Sequence, residues 1–295
     1  MADWLTVLLL VPAIIAPVAL LAGFAGCDRV FGLTDVNPRP PMIDSATGKD
    51  GTTITLVWHS DGVPQNFQFE RTDPDGNIAN FDAPSPAAPF DDTGLAPATS
   101  YRYRMRTIDT SGDPSDWSAA VTGTTLPLAL TYAKTLTQEN PGWEGLTLVQ
   151  RIEAASLAAT GAHVRITVQA PSVSAASIDK IYISQADSTG KAYDSAADLT
   201  LVYDSAANQQ QAFVVPAGTT KSLPIVAYSI NRFQALLIAV DFSTTPASGV
   251  EYVSSVPTSE AVGYYLLASE AAVRVRSPNY AQNSAVYFIT NVEVG

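Results

Sequence analysis

The feature that most restricts the fold of this chain is a two-residue alternation of apolar and polar side chains, repeated in short runs between turn-forming residues. In Thr53-Ile54-Thr55-Leu56-Val57-Trp58, the side chains of Ile54, Leu56 and Trp58 share one face. A pleated strand with one buried side demands that period, and a helix does not reproduce it. Phe67-Gln68-Phe69 and Tyr101-Arg102-Tyr103-Arg104-Met105 alternate in the same way. Asp61-Gly62, Asp73-Pro74-Asp75-Gly76 and Ser111-Gly112-Asp113-Pro114 supply the turns between such runs. Several short strands punctuated in this way predict a β-sandwich. His59 follows Trp58 and is therefore expected on the solvent side, as a surface histidine without a partner motif.

Within this region, Leu95-Ala96-Pro97-Ala98-Thr99-Ser100-Tyr101-Arg102-Tyr103 resembles the E–F corner of fibronectin type III domains. The resemblance spans residues 38–127. It implies that Tyr101 is the corner tyrosine, that Trp58 is the core tryptophan of strand B, and that Ser115 through Thr124 make the final strand. Domains of this family in bacteria act as spacers or interaction modules, and that role is what the resemblance implies here. Asn37-Pro38-Arg39-Pro40-Pro41 precedes the module as a stiff, polyproline-like linker.

Residues 128–295 predict a larger all-β unit, a jelly-roll-like β-sandwich. Strand-like runs fall at Leu146–Ile152, His163–Gln169, Ser177–Ser184, Ala212–Val215, Ala235–Phe242, Val250–Val253, Ala261–Leu267, Ala272–Arg276 and Ser284–Val294. Ala154–Thr160 reads as a short helix or loop cap, and the last run is expected to be the strand that completes the head. In order, Val164-Arg165-Ile166-Thr167, Ser177–Ile183, Val215-Pro216-Ala217-Gly218 and Leu236–Val240 resemble the β-sandwich accessory domain of bacterial SGNH-type esterases. The nucleophile and histidine blocks of those esterases are absent from this sequence.

The N-terminus sets an expected address. Leu5 to Phe24 carries no charge, and at helical rise such a run matches the roughly 30 Å of a bilayer core. It leads into Phe24-Ala25-Gly26-Cys27, which resembles the lipobox of bacterial lipoproteins and implies lipidation at Cys27. Residues 1–26 are thus expected to be a signal peptide or a retained membrane anchor, with 27–37 as tether. They contain one acidic residue, Asp3, and no basic one, so of the chain's 28 acidic and 16 basic residues all but one charge lie beyond them. The expected localisation is extracytoplasmic, anchored to the bacterial cell envelope.

A formal charge of −12 argues against nucleic acid as a partner, because that affinity comes from clustered Lys and Arg. One cysteine forbids an internal disulfide or a thiolate metal cage. Of the two histidines, His163 precedes Val164, Ile166 and Val168 and is expected on an outward strand face with Arg165 and Thr167, away from any catalytic carboxylate. The chain is therefore expected not to be an enzyme and to need no cofactor. The repeated loops Tyr193-Asp194-Ser195-Ala196-Ala197-Asp198 and Tyr203-Asp204-Ser205-Ala206-Ala207-Asn208 make Asp194, Asp198 and Asp204 the weak calcium candidates. These acids, with Asp187, fall in polar, turn-like stretches expected to be solvated.

Candidate ligand-binding residues are Trp143, between glycines in Pro141-Gly142-Trp143-Glu144-Gly145; the neighbours Tyr264 and Tyr265, which a strand must send to opposite faces; and Tyr280 with Asn283 in Asn279-Tyr280-Ala281-Gln282-Asn283. Sugar-binding sandwiches combine such aromatics with amides. The expected function is a non-enzymatic, membrane-tethered surface display or adhesion protein whose C-terminal sandwich binds a glycan or a protein. The alternative is a structural or receptor-binding subunit of a phage-like particle or surface filament.

Overall fold

The computed structural model describes residues 39–60, 66–83, 88–109, 112–196, 199–205, 208–246 and 248–295. The expected signal or anchor, the tether and Cys27 lie outside the described residues. Among the described residues no helix is long and apolar enough to cross a membrane.

Strands β1 (Met42–Gly48), β2 (Ile54–His59), β3 (Asn66–Thr72), β4 (Ile78–Asp82), β5 (Phe90–Asp92), β6 (Ser100–Ile108) and β7 (Val121–Thr124) come first. They form a three-stranded sheet in the order β1-β2-β5 and a four-stranded sheet in the order β4-β3-β6-β7. The alternation read from the sequence holds: Ile54, Leu56, Trp58, Phe67, Phe69, Tyr101, Tyr103 and Met105 are all buried. Trp58 meets Phe67 and Phe69 edge-on, at 6.2 and 5.2 Å between ring centroids. The hydroxyl oxygen of Tyr101 accepts the Ala96 N–H at 2.8 Å, which closes the corner ahead of β6. Seven strands in two such sheets with that corner make a fibronectin-type-III-like sandwich.

Two expectations here need correction. The last strand begins at Val121, later than Ser115. Upstream of it, the hydroxyls of Ser115 and Ser118 accept the β6 amides of Thr107 and Met105, each at 3.0 Å, so side chains take the place of strand carbonyls. Trp117 instead lies against the guanidinium groups of Arg104 and Arg106, at 4.9 and 4.5 Å. His59 faces outward as expected but has a partner, with Nδ1 2.7 Å from Asp44 Oδ1.

The chain divides into two compact units. One comprises the described residues up to Ser45 with Val57–Phe90 and Arg102–Val121; the other comprises Ala46–Leu56, Asp91–Tyr101 and Thr122–Gly295. The second unit adds β8 (Ala129–Ala133), β9 (Gln138–Pro141), β10 (Leu146–Ile152), β11 (Gly161–Gln169), β12 (Ala176–Gln185), β13 (Thr200–Val202), β14 (Phe213–Val215) and β15 (Thr220–Ser222). It continues with β16 (Val226–Ile230), β17 (Leu236–Phe242), β18 (Gly249–Ser254), β19 (Ala261–Leu267), β20 (Ala281–Asn283), β21 (Ala285–Tyr287) and β22 (Ile289–Val294). The Ala-rich segment supplies one 3-10 turn, Ala154–Ser156.

A seven-stranded sheet, β13-β12-β17-β10-β19-β20 with β14 also on β12, joins a five-stranded sheet, β15-β11-β22-β8 with β16 also on β11, and a small sheet β21-β18-β9. Neighbours are mostly non-consecutive in sequence, the crossed connectivity of a jelly-roll-like sandwich. Ile178, Ile181, Ile183, Ile238 and Val240 from the larger sheet share one core with Val164, Ile166, Val168 and Val292 from the other. The expected single strand Ser284–Val294 is two strands. Phe288, buried and at φ +63°, turns the chain so that β21 pairs with β18 and β22 with β11.

The corner bond of Tyr101 is the most local of these constraints. Tyr101→Phe is expected to cost about 1 kcal/mol, read as a lower urea midpoint by tryptophan fluorescence; an unchanged midpoint would show that the bond adds nothing.

Candidate functional site

The aromatic residues singled out in the sequence do not converge on one open site. Trp143 is 2% exposed. Glycines at positive φ on either side of it, Gly142 at +82° and Gly145 at +69°, turn the loop so that the indole enters the core. There it meets Tyr287, Phe242 and Tyr265 at 5.0, 5.6 and 5.6 Å between centroids. It is a pillar of the sandwich and offers no platform to a ligand. Asn283 is exposed, but its amide donates to the Tyr287 hydroxyl at 2.7 Å.

Tyr264 and Tyr265 do point to opposite faces; Tyr264 is buried and Tyr265 half-buried. Tyr265 packs against the main core, whereas Tyr264 belongs to a second buried cluster with Val149, Leu237, Ala239, Val262, Ala271 and Tyr280. The seven-stranded sheet is thus buried on both faces at its centre, where all seven residues of β17 are buried. Tyr193 joins the second cluster, 4.7 Å from Tyr280 and 5.1 Å from Tyr264.

The covering segment includes Ala272–Arg276, which forms no strand. Val273 and Val275 face outward, and Arg276 is the residue that goes in, 2% exposed. Its guanidinium donates to the carbonyl of Tyr193, to Ser195 Oγ at 3.1 Å and to the Glu270 carbonyl at 3.3 Å. A fork of donors that needs several acceptors at once curls the chain around itself and excludes a flat ladder. Burial lowers the Arg276 pKa, against the opposing field of Asp194, Glu270 and Asp241. Asp241, on β17, accepts from Thr147 Oγ1 at 2.5 Å, from Ser269 Oγ at 2.9 Å and from the Ala271 N–H at 3.0 Å, with Lys180 at 3.2 Å.

The calcium candidates are engaged otherwise. Asp194, expected in a solvated loop, is 2% exposed and accepts the N–H groups of Arg276 and Lys191 at 2.9 and 3.0 Å. Asp204 pairs with Lys221. Asp198 lies outside the described residues. Asp187 keeps the expected turn role, accepting from Thr189. The equal loop sequences therefore do different work, because Asp194 meets the amide of Arg276 and Asp204 meets a lysine on β15. Among the described residues no group of three or more His, Cys, Asp or Glu could hold a metal ion. His163, expected on an outward strand face, lies 3.0 Å from Thr52 Oγ1.

Among the described residues, grooves open on the second unit. One of about 560 Å³ runs beside β8 and Glu260, and one of about 340 Å³ lies by Ser177 and Asp204. The third, about 550 Å³, is lined by Gln185, Ala196, Thr200, Ala227, Tyr228, Ser229 and Gln234. Beside it stands the turn Asn231–Gln234, pinned from several sides. Gln185 Nε2 donates to the carbonyls of Asn231 and Gln234 at 2.6 and 3.1 Å, Gln234 Nε2 donates to the Ala186 carbonyl at 2.7 Å, and the Phe233 N–H donates to Asn231 Oδ1 at 3.0 Å. At its tip Phe233 is 77% exposed, with the Arg232 guanidinium 4.7 Å from the ring centroid. This pairing of an open aromatic with amides and hydroxyls is the chemistry sought at Tyr280 and Asn283. Its sequence signal was one aromatic inside the polar turn Asn231-Arg232-Phe233-Gln234, ahead of a fully apolar strand.

The buried carboxylates tie the cap over the outer sheet face to pH. Burial works against the charge of Asp194, but the N–H groups of Arg276 and Lys191 outweigh it and hold the carboxyl below its ordinary 3.8. Burial likewise opposes the charge of Glu270, and the hydroxyl and N–H of Ser277 outweigh it. A carboxyl whose folded pKa is depressed contributes stability in full above its unfolded value and loses it as pH falls through the folded value. Stability is therefore expected to drop as pH falls below the 3.8–4.5 range of unfolded Asp and Glu, and Asp194→Asn is expected to flatten that drop in urea unfolding measured across pH 2–6. An equal slope in both proteins would refute the assignment.

No family model matches the chain, and no curated protein matches it. Similar solved structures include the FN5 domain of Drosophila Lar, 23% identical, with a TM-score of 0.27 and coverage of 30% of this chain and 97% of that one. A second, described as a myokine structure, is 17% identical, with a TM-score of 0.27 and coverage of 30% and 98%. A two-domain fibronectin type III segment from chicken tenascin is 12% identical, with a TM-score of 0.26 and coverage of 86% and 99%.

Proposed function

We propose that this chain is a non-catalytic display protein of the cell envelope, tethered through its N-terminus with lipid on Cys27, whose second unit binds a neutral glycan. The observation that carries the reading is the pinned turn Asn231–Gln234, which exposes Phe233 at its tip and places Gln234 on a groove of amides and hydroxyls. An exposed ring held by a rigid turn stacks on a sugar face at little entropic cost, and the side chains lining the groove offer both donors and acceptors to hydroxyls. The fibronectin-like sandwich serves as the spacer that its resemblance implies. The charged side chains of the second unit support this assignment of roles, since Arg276, Asp194 and Asp241 are spent on holding loops.

Two measurements test the reading. The full-length protein is expected to bind at least one neutral polysaccharide on a glycan array, and Phe233→Ala is expected to weaken that binding at least about tenfold, or 1.4 kcal/mol, with an unchanged melting temperature. Binding that survives the substitution, or none at all, would overturn the glycan assignment. Mass spectrometry of the native protein is expected to show a chain beginning at an acylated Cys27; an intact Met1 terminus would replace the lipid by a retained anchor.

A further inference from the structure

We infer that the strap of residues 268–280 is an acid-released cover, which leaves the outer face of the seven-stranded sheet as a unit while the sandwich beneath it stays folded. The inference does not depend on the glycan reading. It makes the acid loss of stability described above a local event with a defined product.

The strap has little apolar burial to hold it. Ala271, Arg276 and Tyr280 are its buried residues, and Ala272–Val275 are exposed. Backbone ties are few: the Ala268 N–H donates to the Gly145 carbonyl at 3.1 Å, and the Arg274 carbonyl accepts the Ser195 N–H at 2.9 Å. Four further amides of the strap go to carboxylates. Asp241 accepts the N–H groups of Glu270 and Ala271 at 3.1 and 3.0 Å, Asp194 that of Arg276 at 2.9 Å, and Glu270 that of Ser277 at 2.9 Å. Asp241 belongs to β17 and Asp194 to the loop after β12, so their bonds fasten the strap to the sheet. Glu270 folds the strap on itself and also accepts the Tyr280 hydroxyl at 3.2 Å.

Arg276 turns loss of these bonds into release. Its buried guanidinium donates to the carbonyls of Tyr193, Glu270 and Ala271 and to Ser195 Oγ, and Asp194, Glu270 and Asp241 supply the opposing charge. As Asp194 and Glu270 become neutral, a buried cation loses two of those three counter-charges, and the state that returns it to water gains. The other ionisable groups around the cluster are Lys180 on β12, Lys191 and Tyr193 after it, Asp187 and Arg274 at the rim, Arg151 and Glu153 from β10, and Tyr264 from β19. The lysines and arginines stay charged in acid and act in the same direction, and the tyrosines stay neutral.

Burial opposes the charge on Asp194 and Glu270, yet their N–H and hydroxyl partners hold both below the ordinary 3.8 and 4.5. The fastening is therefore complete above those values and fails as pH falls through the depressed ones. Other carboxyls held low do not join the strap to anything: Asp50, Asp73 and Asp187 bond within their own turns, and Asp91 bonds Lys49 and Thr55. The core on the opposite face of the sheet is apolar, so protonation leaves it in place. Release uncovers Tyr264 with Val149, Leu237, Ala239 and Val262.

The test is hydrogen exchange of the full-length protein, read by mass spectrometry from pH 6 to pH 2.5 and corrected for the intrinsic pH dependence of exchange. Peptides covering residues 269–278 are expected to lose protection at least about tenfold between pH 5 and pH 2.5, the effect of one carboxyl depressed by one pKa unit. Peptides from Leu236–Phe242 are expected to keep theirs, since β17 retains its ladders with β10 and β12. The double variant Asp194→Asn, Glu270→Gln is expected to show the loosened strap already at pH 6, over a protected β17. The wild-type profile decides by itself should that variant not fold. Strap and β17 losing protection together, strap protection independent of pH, or a folded double variant with a fully protected strap at pH 6 overturns the inference.

Discussion

The set of buried charges centred on Arg276 and Asp241 is what allows the centre of the seven-stranded sheet to be covered on both faces. One face meets the opposing sheet through side chains alone. The other is covered by irregular segments around residues 186–196 and 268–280, whose backbone groups are only partly paired with other backbone. Arg276 satisfies carbonyls of those segments, and Asp241, reaching out from the central strand β17, satisfies their amides and hydroxyls. Each ion is expensive to bury and is held by several directional partners, so removing one side of the arrangement would strand the other. The cap, the burial of Tyr264 and Tyr280, and the full burial of β17 all depend on it.

The same arrangement sorts the acidic residues of the chain by role. A net charge of −12 reads at first as a repulsive surface, yet Asp194, Asp241 and Glu270 are structural ties facing inward. On the surface, Asp204 is matched by Lys221, the groove between Gln185 and Gln234 is lined by amides, hydroxyls and alanines, and the Arg232 guanidinium stands over the Phe233 ring.

Much of the architecture was legible because a strand with one buried face writes its period into the sequence. Ile54, Leu56 and Trp58 are buried as their spacing required, Leu146–Ile152 and Ala261–Leu267 have the bounds read for them, and Tyr101 closes its corner. Short strands such as β13 and β20 were missed because three residues carry too little pattern. Ala272–Arg276 misled because its valines alternate as a strand's would, yet the segment is exposed from Ala272 to Val275 and only Arg276 is buried. The site was less legible still. Trp143 and Tyr280 have the composition of a sugar platform, but aromatic rings beside glycine or asparagine look alike whether the loop folds inward or outward.

The sequence by itself determined the all-β class, the strand faces and the fibronectin-like corner, since these follow from local periodicity and from contacts a few residues apart. Only the tertiary structure decided which aromatics are buried and which are open, and that the large sheet is covered on both faces at its centre. It also decided that two nearly equal Asp loops serve different partners. Those outcomes turn on pairs distant in the chain, such as Thr147 with Asp241 and Asp194 with Arg276. No local pattern encodes such pairs, because a buried ion is stable only where the fold brings its partners to it.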